Sequence, residues 1–430
     1  MDKKQAEDFI YKSYLKAQKF HSYNEKDSKK RRNDLTFEII RKKSDTPCVV
    51  ITGSKGKGSV ANMISQILQT EYTIGLMTSP HIVDFCERFQ VNGGKITEQE
   101  FIEQIITIKE EIETIENSIP EDVCISPMGI QAYMALNYFH QKETKFNVFE
   151  CGKGAKYDDV NNIKHEYAVI NTIFLEHTRE LGESLEEIAY DKAHVITGEE
   201  KCIYIAEQNQ VVLDILKKRA EQFKVPIKIY GKDFKADQIT YTKEGMKFDI
   251  IIGEDIYPNI VIPLLGEYQA KNCALSMALC KDVLENIELY KIKNNLKNIN
   301  WPGRMEILEQ NPPVVLDACI NKESCHNVLN ILKEMKIEKA TVIIGIPDDK
   351  DFSGVAECMK DVAEKIILTK SQNPHYRFSP WQQECLEKKG IYTTWTDSVK
   401  KAMKMVKKEK KPIVILGTTS VVAEVKNEYM

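Results

Sequence analysis

No run in this 430-residue chain approaches the ~18 consecutive apolar residues that a membrane-spanning helix needs. The residues after Met1 are polar and charged, so no secretory signal is expected there. The eleven cysteines include no Cys-x-x-Cys pair and are odd in number. That argues against a zinc knuckle or a disulfide framework, and for free thiols in a reducing compartment. An excess of one charge is missing too. Sixty basic and 64 acidic side chains leave a net charge of −4 at pH 7, too little to draw the chain to nucleic acid or an anionic membrane. Low-complexity tracts and short repeats are absent. These absences predict a cytoplasmic globular protein with no nucleic-acid and no membrane partner. Two basic clusters do not change this: Lys29-Lys30-Arg31-Arg32 reads as a solvated loop, and Lys400 to Lys411 as the exposed face of a helix.

What is present is a strong local pattern. The apolar run Cys48-Val49-Val50-Ile51 is followed by Thr52-Gly53-Ser54-Lys55-Gly56-Lys57-Gly58-Ser59. Val60, Met63, Ile64, Ile67 and Leu68 then mark one face of a helix. Strand, glycine-rich turn and helix in that order make a nucleotide phosphate site. The glycines let the backbone approach a ligand, the first-turn N–H groups point at an anion, and Lys57 supplies a cation. The spacing is shorter than the general Walker form, with only two residues between the flanking glycines.

Along the chain, residues 1–46 are polar and helical in tendency, with Phe9, Ile10, Tyr14 and Leu15 as one apolar stripe and Phe37, Ile39 and Ile40 as another. Strands are expected at Thr73–Met77, Phe146–Glu150 and Ala168–Asn171, alternating with helices from Thr97, with Glu100 completing a capping box, and from Ile130 to Gln141. Ser184 to Ile196 reads as a helix, residues 202–230 as strand, helix, strand, and residues 236–264 as a hairpin with Gly-Glu-Asp in the middle. A break at Asn298-Ile299-Asn300-Trp301-Pro302-Gly303-Arg304 opens a fresh series of strands and helices of Rossmann-like size. The expectation is an α/β protein with a parallel-sheet ATP-binding domain over residues 1–298 and a second α/β domain over residues 299–430.

In parallel sheets ligands sit beyond the carboxyl ends of strands. Ser59, Ser79, Glu150 and His177 all follow strand-like runs. Singly, Glu150 reads as a strand-end carboxylate and His177 as a loop histidine. Beside a phosphate loop, the hydroxyl, carboxylate and imidazole suit Mg²⁺ held partly by a nucleotide. Lys192 stands on the apolar side of its helix and, from spacing, reads as a snorkelling lysine.

The phosphate loop, Thr78-Ser79-Pro80-His81, Phe85-Cys86-Glu87-Arg88, Val91-Asn92-Gly93, Glu150-Cys151-Gly152, Leu175-Glu176-His177-Thr178, Gly266-Glu267-Tyr268-Gln269 with Asn272, and Trp301-Pro302-Gly303-Arg304 resemble the folylpolyglutamate and dihydrofolate synthases, a branch of the Mur ligases. The resemblance implies a P-loop domain of the Mur-ligase central type and a C-terminal Rossmann-like ligase domain. It implies ATP-dependent amide ligation: a small-molecule carboxylate becomes an acyl phosphate, and an amine, L-glutamate, displaces phosphate. It implies that residues Gly53 to Ser59 hold ATP, with Asn272, Arg304, Asp317 and Asn321 completing the nucleotide site. Ser79, Glu150 and His177 become Mg²⁺ ligands, and a carbamylated Lys192 stands near a second metal. Lys57, Lys192 and His177 are then the catalytic set, in a protein that is a monomer.

The phosphate and metal positions match the family, whereas the acceptor pocket and part of the interdomain site depart from it. Where the family has roughly Leu-Gly-Gly-Arg-Leu-Asp-Ala-Thr-Asn, this chain has Lys153-Gly154-Ala155-Lys156-Tyr157-Asp158-Asp159-Val160-Asn161. Ser126-Pro127-Met128-Gly129 replaces Thr-x-Phe-Glu, and Ile320 replaces a histidine in Asp317-Ala318-Cys319-Ile320-Asn321. Three readings follow: a folate–glutamate ligase, a Mur-type amide ligase with a non-folate acceptor acid, and a non-catalytic nucleotide-binding protein.

Overall fold

Short apolar runs alternating with amphipathic helices build two mainly parallel sheets and one small antiparallel one. The computed structural model describes residues 1–20 and 31–429. Lys29 and Lys30 of the first basic cluster lie outside them. The first sheet contains β1 (Cys48–Thr52), β2 (Ile74–Met77), β3 (Phe89–Val91), β4 (Gly94–Lys95), β5 (Phe146–Glu150), β6 (Tyr167–Ile170), β7 (Cys202–Ile205) and β8 (Ile227–Ile229). Their order is β4-β3-β2-β5-β1-β6-β7-β8. β1 is central and parallel to both neighbours, with Val50 opposite Phe149 and Ala168. Strand residues alternate faces. Val50 therefore enters the core that holds Phe101, Tyr133 and Ile188, while Val49 and Ile51 enter the one that holds Val60, Phe248 and Ala274. Burial on both faces is why β1 reads as a continuous apolar run.

The helix from Glu98 to Ser118 begins as the sequence indicates. Thr97 and Glu100 exchange the two bonds of a capping box, and Phe101, Ile105, Ile108 and Ile112 are buried. The N-terminal stripe differs. In the Lys3–Ala17 helix the buried side is Ala6, Phe9, Ile10, Ser13 and Ala17, while Tyr14 and Leu15 face solvent. Small residues carry that face, and apolar counting passes over them.

Residues 234–262 are not one hairpin but a three-stranded meander, β9 (Phe234–Thr242), β10 (Gly245–Ile252) and β11 (Asp255–Ile262). The Gly-Glu-Asp signal is its second turn. The first is Lys243-Glu244, closed by the Thr242 hydroxyl accepting from the Glu244 amide at 3.2 Å. Neither loop residue carries a turn signature.

Beyond the break lies the second large sheet: β12 (Glu306–Gln310), β13 (Pro313–Asp317), β14 (Ala340–Gly345), β15 (Ala363–Leu368), β16 (Thr393–Trp395) and β17 (Ile413–Gly417). Its order is β12-β13-β17-β14-β15-β16. The antiparallel edge strand β12 and the Thr419–Tyr429 helix were not legible in the sequence. Val399, Ala402 and Val406 are buried, so the lysines of the second basic cluster do lie on the outer side of a helix, which ends at Val406. Among the described residues no helix is long and apolar enough to cross a membrane.

Candidate active site

The chain leaves β1 at Thr52 and, after the four residues Gly53 to Gly56, enters the Lys57–Leu68 helix. Gly53 (φ +140°) and Gly56 (φ +77°) make that turn, in conformations that side chains resist. Asn171, directly after β6, fills the space behind them. A Cβ on Gly56 would stand 2.6 Å from Asn171 Nδ2. Asn171 Nδ2 donates to Asn272 Oδ1 (3.1 Å), and Asn272 Nδ2 donates to Gln269 Oε1 (3.1 Å). A run of carboxamides thus braces the loop. The Lys57–Leu68 helix has Gly56 at its N-cap and no side-chain cap, which leaves its first-turn N–H groups for an anion.

Lys57 Nζ donates to Gly53 O at 3.0 Å. Facing it is Glu150, the buried last residue of β5, whose Oε2 accepts the Ser79 amide at 3.0 Å. Burial pushes the Glu150 carboxyl pKa up, and the nearby Lys57 charge pulls it back. Ser59 is buried, with Gln269 Nε2 at 3.5 Å from its hydroxyl.

Lys192 does not snorkel. Its side chain is 1% exposed, and Nζ lies 3.1 Å from Glu176 Oε1 and donates to Gly53 O at 2.9 Å. Helix spacing placed it on the apolar side; only the packed fold closes its route to water. Burial, reinforced by Lys57, pushes its pKa down. His177 stands apart. Its side chain is 43% exposed, with Glu180 Oε2 at 3.8 Å and Glu176 Oε2 at 4.0 Å.

The second sheet supplies the opposite wall. Asp317 ends β13 and accepts the Met305 amide at 2.8 Å. Burial raises its pKa, and Arg304 opposes the rise. Lys55 Nζ lies 5.9 Å from the centre of the Phe174 ring, and burial pushes its pKa down, with Asp317 among the charges that oppose the fall. Trp301 lies over the loop: a Cβ on Gly58 would stand 2.7 Å from its ring. Between the walls is a cavity of about 770 Å³. Of the candidate residues, Ser54, Lys55, Gly56, Lys57, Gly58, Ser59, Ser79, Glu150, Asn272, Arg304 and Asp317 line it. Gly53, His177, Lys192 and Asn321 do not. Gly53 and Lys192 are behind the loop, and Asn321 is the N-cap of the Lys322–Glu334 helix, its side chain accepting from the Ser324 amide at 2.9 Å. A second cavity of about 680 Å³ adjoins the first across Tyr268 and Asn272.

Sequence reasoning passed over Asn171, Glu176 and Trp301 as site residues. Asn171 carried the same signal as Glu150, since both stand at the carboxyl end of a parallel strand.

Among the described residues no group of three or more His, Cys, Asp or Glu is poised around one point for a metal. One buried carboxylate with the hydroxyls of Ser59 and Ser79 is nevertheless an all-oxygen donor set. That fits Mg²⁺, which completes its shell with phosphate oxygens and water.

Where the family's acceptor motifs are altered, the loop after β5 is built inward. Asp158 accepts from the amides of Gly152 (2.9 Å), Lys153 (3.1 Å) and Val160 (3.0 Å). Asp159 is buried and accepts from the Thr36 hydroxyl at 2.6 Å.

Two family models match the chain: the Mur ligase middle domain over residues 92–280 and the Mur ligase glutamate ligase domain over residues 303–419. The chain belongs to the Mur ligases. Its curated relatives within them include folylpolyglutamate and dihydrofolate synthases. It is 28% identical over 323 residues to the dihydrofolate synthase/folylpolyglutamate synthase of Bacillus subtilis, covering 74% of each chain. It is 24% identical over 387 residues to the folylpolyglutamate synthase of Lacticaseibacillus casei, covering 88% of this chain and 89% of that one. It spans only 40% of a probable bifunctional folylpolyglutamate synthase/dihydropteroate synthase of Halobacterium salinarum, at 29% identity over 76% of this chain. The fold matches the ADP complex of Mycobacterium tuberculosis folylpolyglutamate synthase, with a TM-score of 0.86 and 20% identity over 100% of this chain and 99% of that one.

Proposed function

We propose that this protein is an ATP-dependent ligase that joins L-glutamate to a folate-type carboxylic acid through an acyl phosphate. The observation that carries the reading is one cavity, between two α/β sheets, into which Lys57, Glu150, Ser79 and Arg304 all open. Its B. subtilis and L. casei relatives bear the names of such synthases.

The loop from Gly53 to Ser59 holds the ATP phosphates on backbone N–H groups, and Lys57 leaves Gly53 O to neutralise them. Arg304 approaches from the facing wall and Lys55 from the loop itself, with Asp317 and Asn321 ordering the facing wall. Asn272 and the adjoining cavity take the nucleoside. Glu150, Ser79 and Ser59 would hold Mg²⁺, which would supply positive charge to the transferring phosphoryl group. His177 and Lys192 both approach Glu176, and with Lys192 carbamylated they would hold a second metal. The depressed pKa of buried Lys192 favours its free amine, the form that adds carbon dioxide to become a carbamate. Trp301 over Gly58 keeps water from the acyl phosphate. The functional division falls between residues 298 and 299, with residues 1–298 holding ATP and residues 299–430 presenting the amino acid. All eleven cysteines are free thiols, which supports a cytoplasmic setting.

A second reading replaces folate by another carboxylic acid. It is favoured by Asp159, which stands where the family pattern has alanine and accepts from the Thr36 hydroxyl at 2.6 Å, and by Lys156, which replaces an arginine. The intact Lys57 and Glu150 speak against a non-catalytic nucleotide-binding protein. The test is phosphate release from Mg·ATP with L-glutamate and either dihydropteroate or tetrahydrofolate, with product mass read in the same tube. A mass gain of one glutamate is expected. Release that requires another acid discards folate, and ATP binding without release for any acid overturns the ligase.

A further inference from the structure

His81 and Arg88 are not used by the scheme above, and their contact fixes a chemical state. Arg88 is 8% exposed, beneath the loop that follows β2. Its Nε donates to His81 Nδ1 at 2.9 Å, and its Nη1 donates to Gln131 Oε1 at 2.8 Å. Gln131 is held in turn, with Nε2 donating to Pro127 O at 2.8 Å. The Phe85 ring lies under the guanidinium, 4.8 Å from centroid to Cζ, and 5.4 Å from the imidazole.

A guanidinium in a protein is always a donor and never an acceptor. His81 Nδ1 opposite Arg88 Nε–H must therefore be the accepting nitrogen. The imidazole carries its single hydrogen on Nε2. An imidazolium would set two N–H groups against each other. Nε2 has no hydrogen-bond partner among the described residues, and His81 lines the cavity together with Ser79, Pro80 and Glu150.

We propose that His81 is a fixed neutral N–H donor to the carboxylate of the acceptor acid, and that Arg88 is the positioning residue that sets its tautomer. The assignment rests on the ligase reading for the identity of the ligand. The tautomer itself does not. A neutral donor here orients the carboxylate toward the phosphate loop without becoming a competing base or nucleophile beside ATP. The altered Ser126-Pro127-Met128-Gly129 stretch joins this device, because the carbonyl of Pro127 anchors Gln131 and hence Arg88.

The test uses the full chain in two measurements. Long-range ¹H–¹⁵N spectra of the ¹⁵N-histidine-labelled protein, with His81 assigned by its loss in His81→Gln, report the tautomer at pH 7. The Nε2–H form is expected; the Nδ1–H form or an imidazolium overturns the proposal. Steady-state kinetics then compare His81→Gln, whose amide reproduces the Nε2–H donor, with His81→Phe, which keeps the ring and loses the donor. Loss of one hydrogen bond to a carboxylate should raise KM for the acceptor acid about 10- to 100-fold in His81→Phe, with ATP affinity unchanged and with His81→Gln within about threefold of the parent. Equal KM values for the two variants overturn the role. If no acid supports phosphate release, the ligase reading falls and takes the acceptor role with it, while the spectrum still decides the tautomer.

Discussion

Lys57 and Lys192 donate to the same backbone oxygen, the carbonyl of Gly53, at 3.0 and 2.9 Å. One ammonium comes from the helix that follows the glycine turn and lines the cavity. The other comes from a helix well over a hundred residues later and is sealed behind the turn. Two like charges on one acceptor are a poor arrangement for both, and Lys57 is among the groups that depress Lys192. The arrangement improves when an anion draws Lys57 forward, or when Lys192 loses its charge.

Replacing Lys57 by alanine removes the cavity-side cation. Turnover should fall at least ~100-fold, the cost of losing one preorganised charge contact to a transferring group. Circular dichroism should be unchanged, because the lysine makes no core contact. Full activity in the variant would remove Lys57 from the phosphate site.

Lys192 should carry carbon dioxide. ¹³C-bicarbonate added to the protein is expected to give a carbamate resonance that is absent from Lys192→Met. Activity of the parent should fall when bicarbonate is stripped and recover when it is restored. A parent spectrum without that resonance would leave Lys192 as an amine.

Gly58 is confined by the tryptophan at the break between the sheets. Its added Cβ would lie 2.7 Å from Trp301 and 3.3 Å from Glu150 Oε2. Gly58→Ala must push the indole away, at a cost of about 1–3 kcal/mol for overpacking. The expected result is a raised KM for ATP with altered tryptophan emission. Unchanged emission would show that the ring does not rest on the loop.

Asp159 makes a pH prediction. Burial pushes its carboxyl up to about 6 from the ordinary 3.8. The folded state therefore holds the proton more tightly than the unfolded state does. This contribution to stability is fully present below about pH 4 and is lost as pH rises through 6, by about 3 kcal/mol at most. Asp159→Asn keeps an oxygen for the Thr36 hydroxyl and carries no charge. Denaturant midpoints at pH 4 and pH 8 should fall with pH in the parent more than in the variant. Parallel profiles would show that Asp159 does not titrate in this range.

Much of this was legible from the residues. The glycine turn between β1 and its helix was readable because strand, turn and helix are local, and each has its own periodicity. Glu150 and Ser79 were readable as strand ends. The Thr97–Glu100 cap needs only four residues. The meander at residues 234–262 was misread because its first turn, Lys243-Glu244, is marked only by the single Gly245 that follows it. The Lys3–Ala17 face was misread because alanine and serine carry part of it.

The sequence by itself determined the phosphate loop, the alternation of strands with helices that implies parallel sheets, and the break near Trp301. Each is set by contacts within a few residues or by one repeating pattern. Only the tertiary structure decided which distant groups meet: Asn171 behind Gly56, Lys192 on the Gly53 carbonyl, Trp301 over Gly58, and Arg88 against His81. Those pairings depend on strand order and on how two sheets face each other. A side chain's charge state follows from the neighbours and the burial that packing gives it, which is why the sequence offered Lys192 as a solvated lysine and the fold made it a buried one.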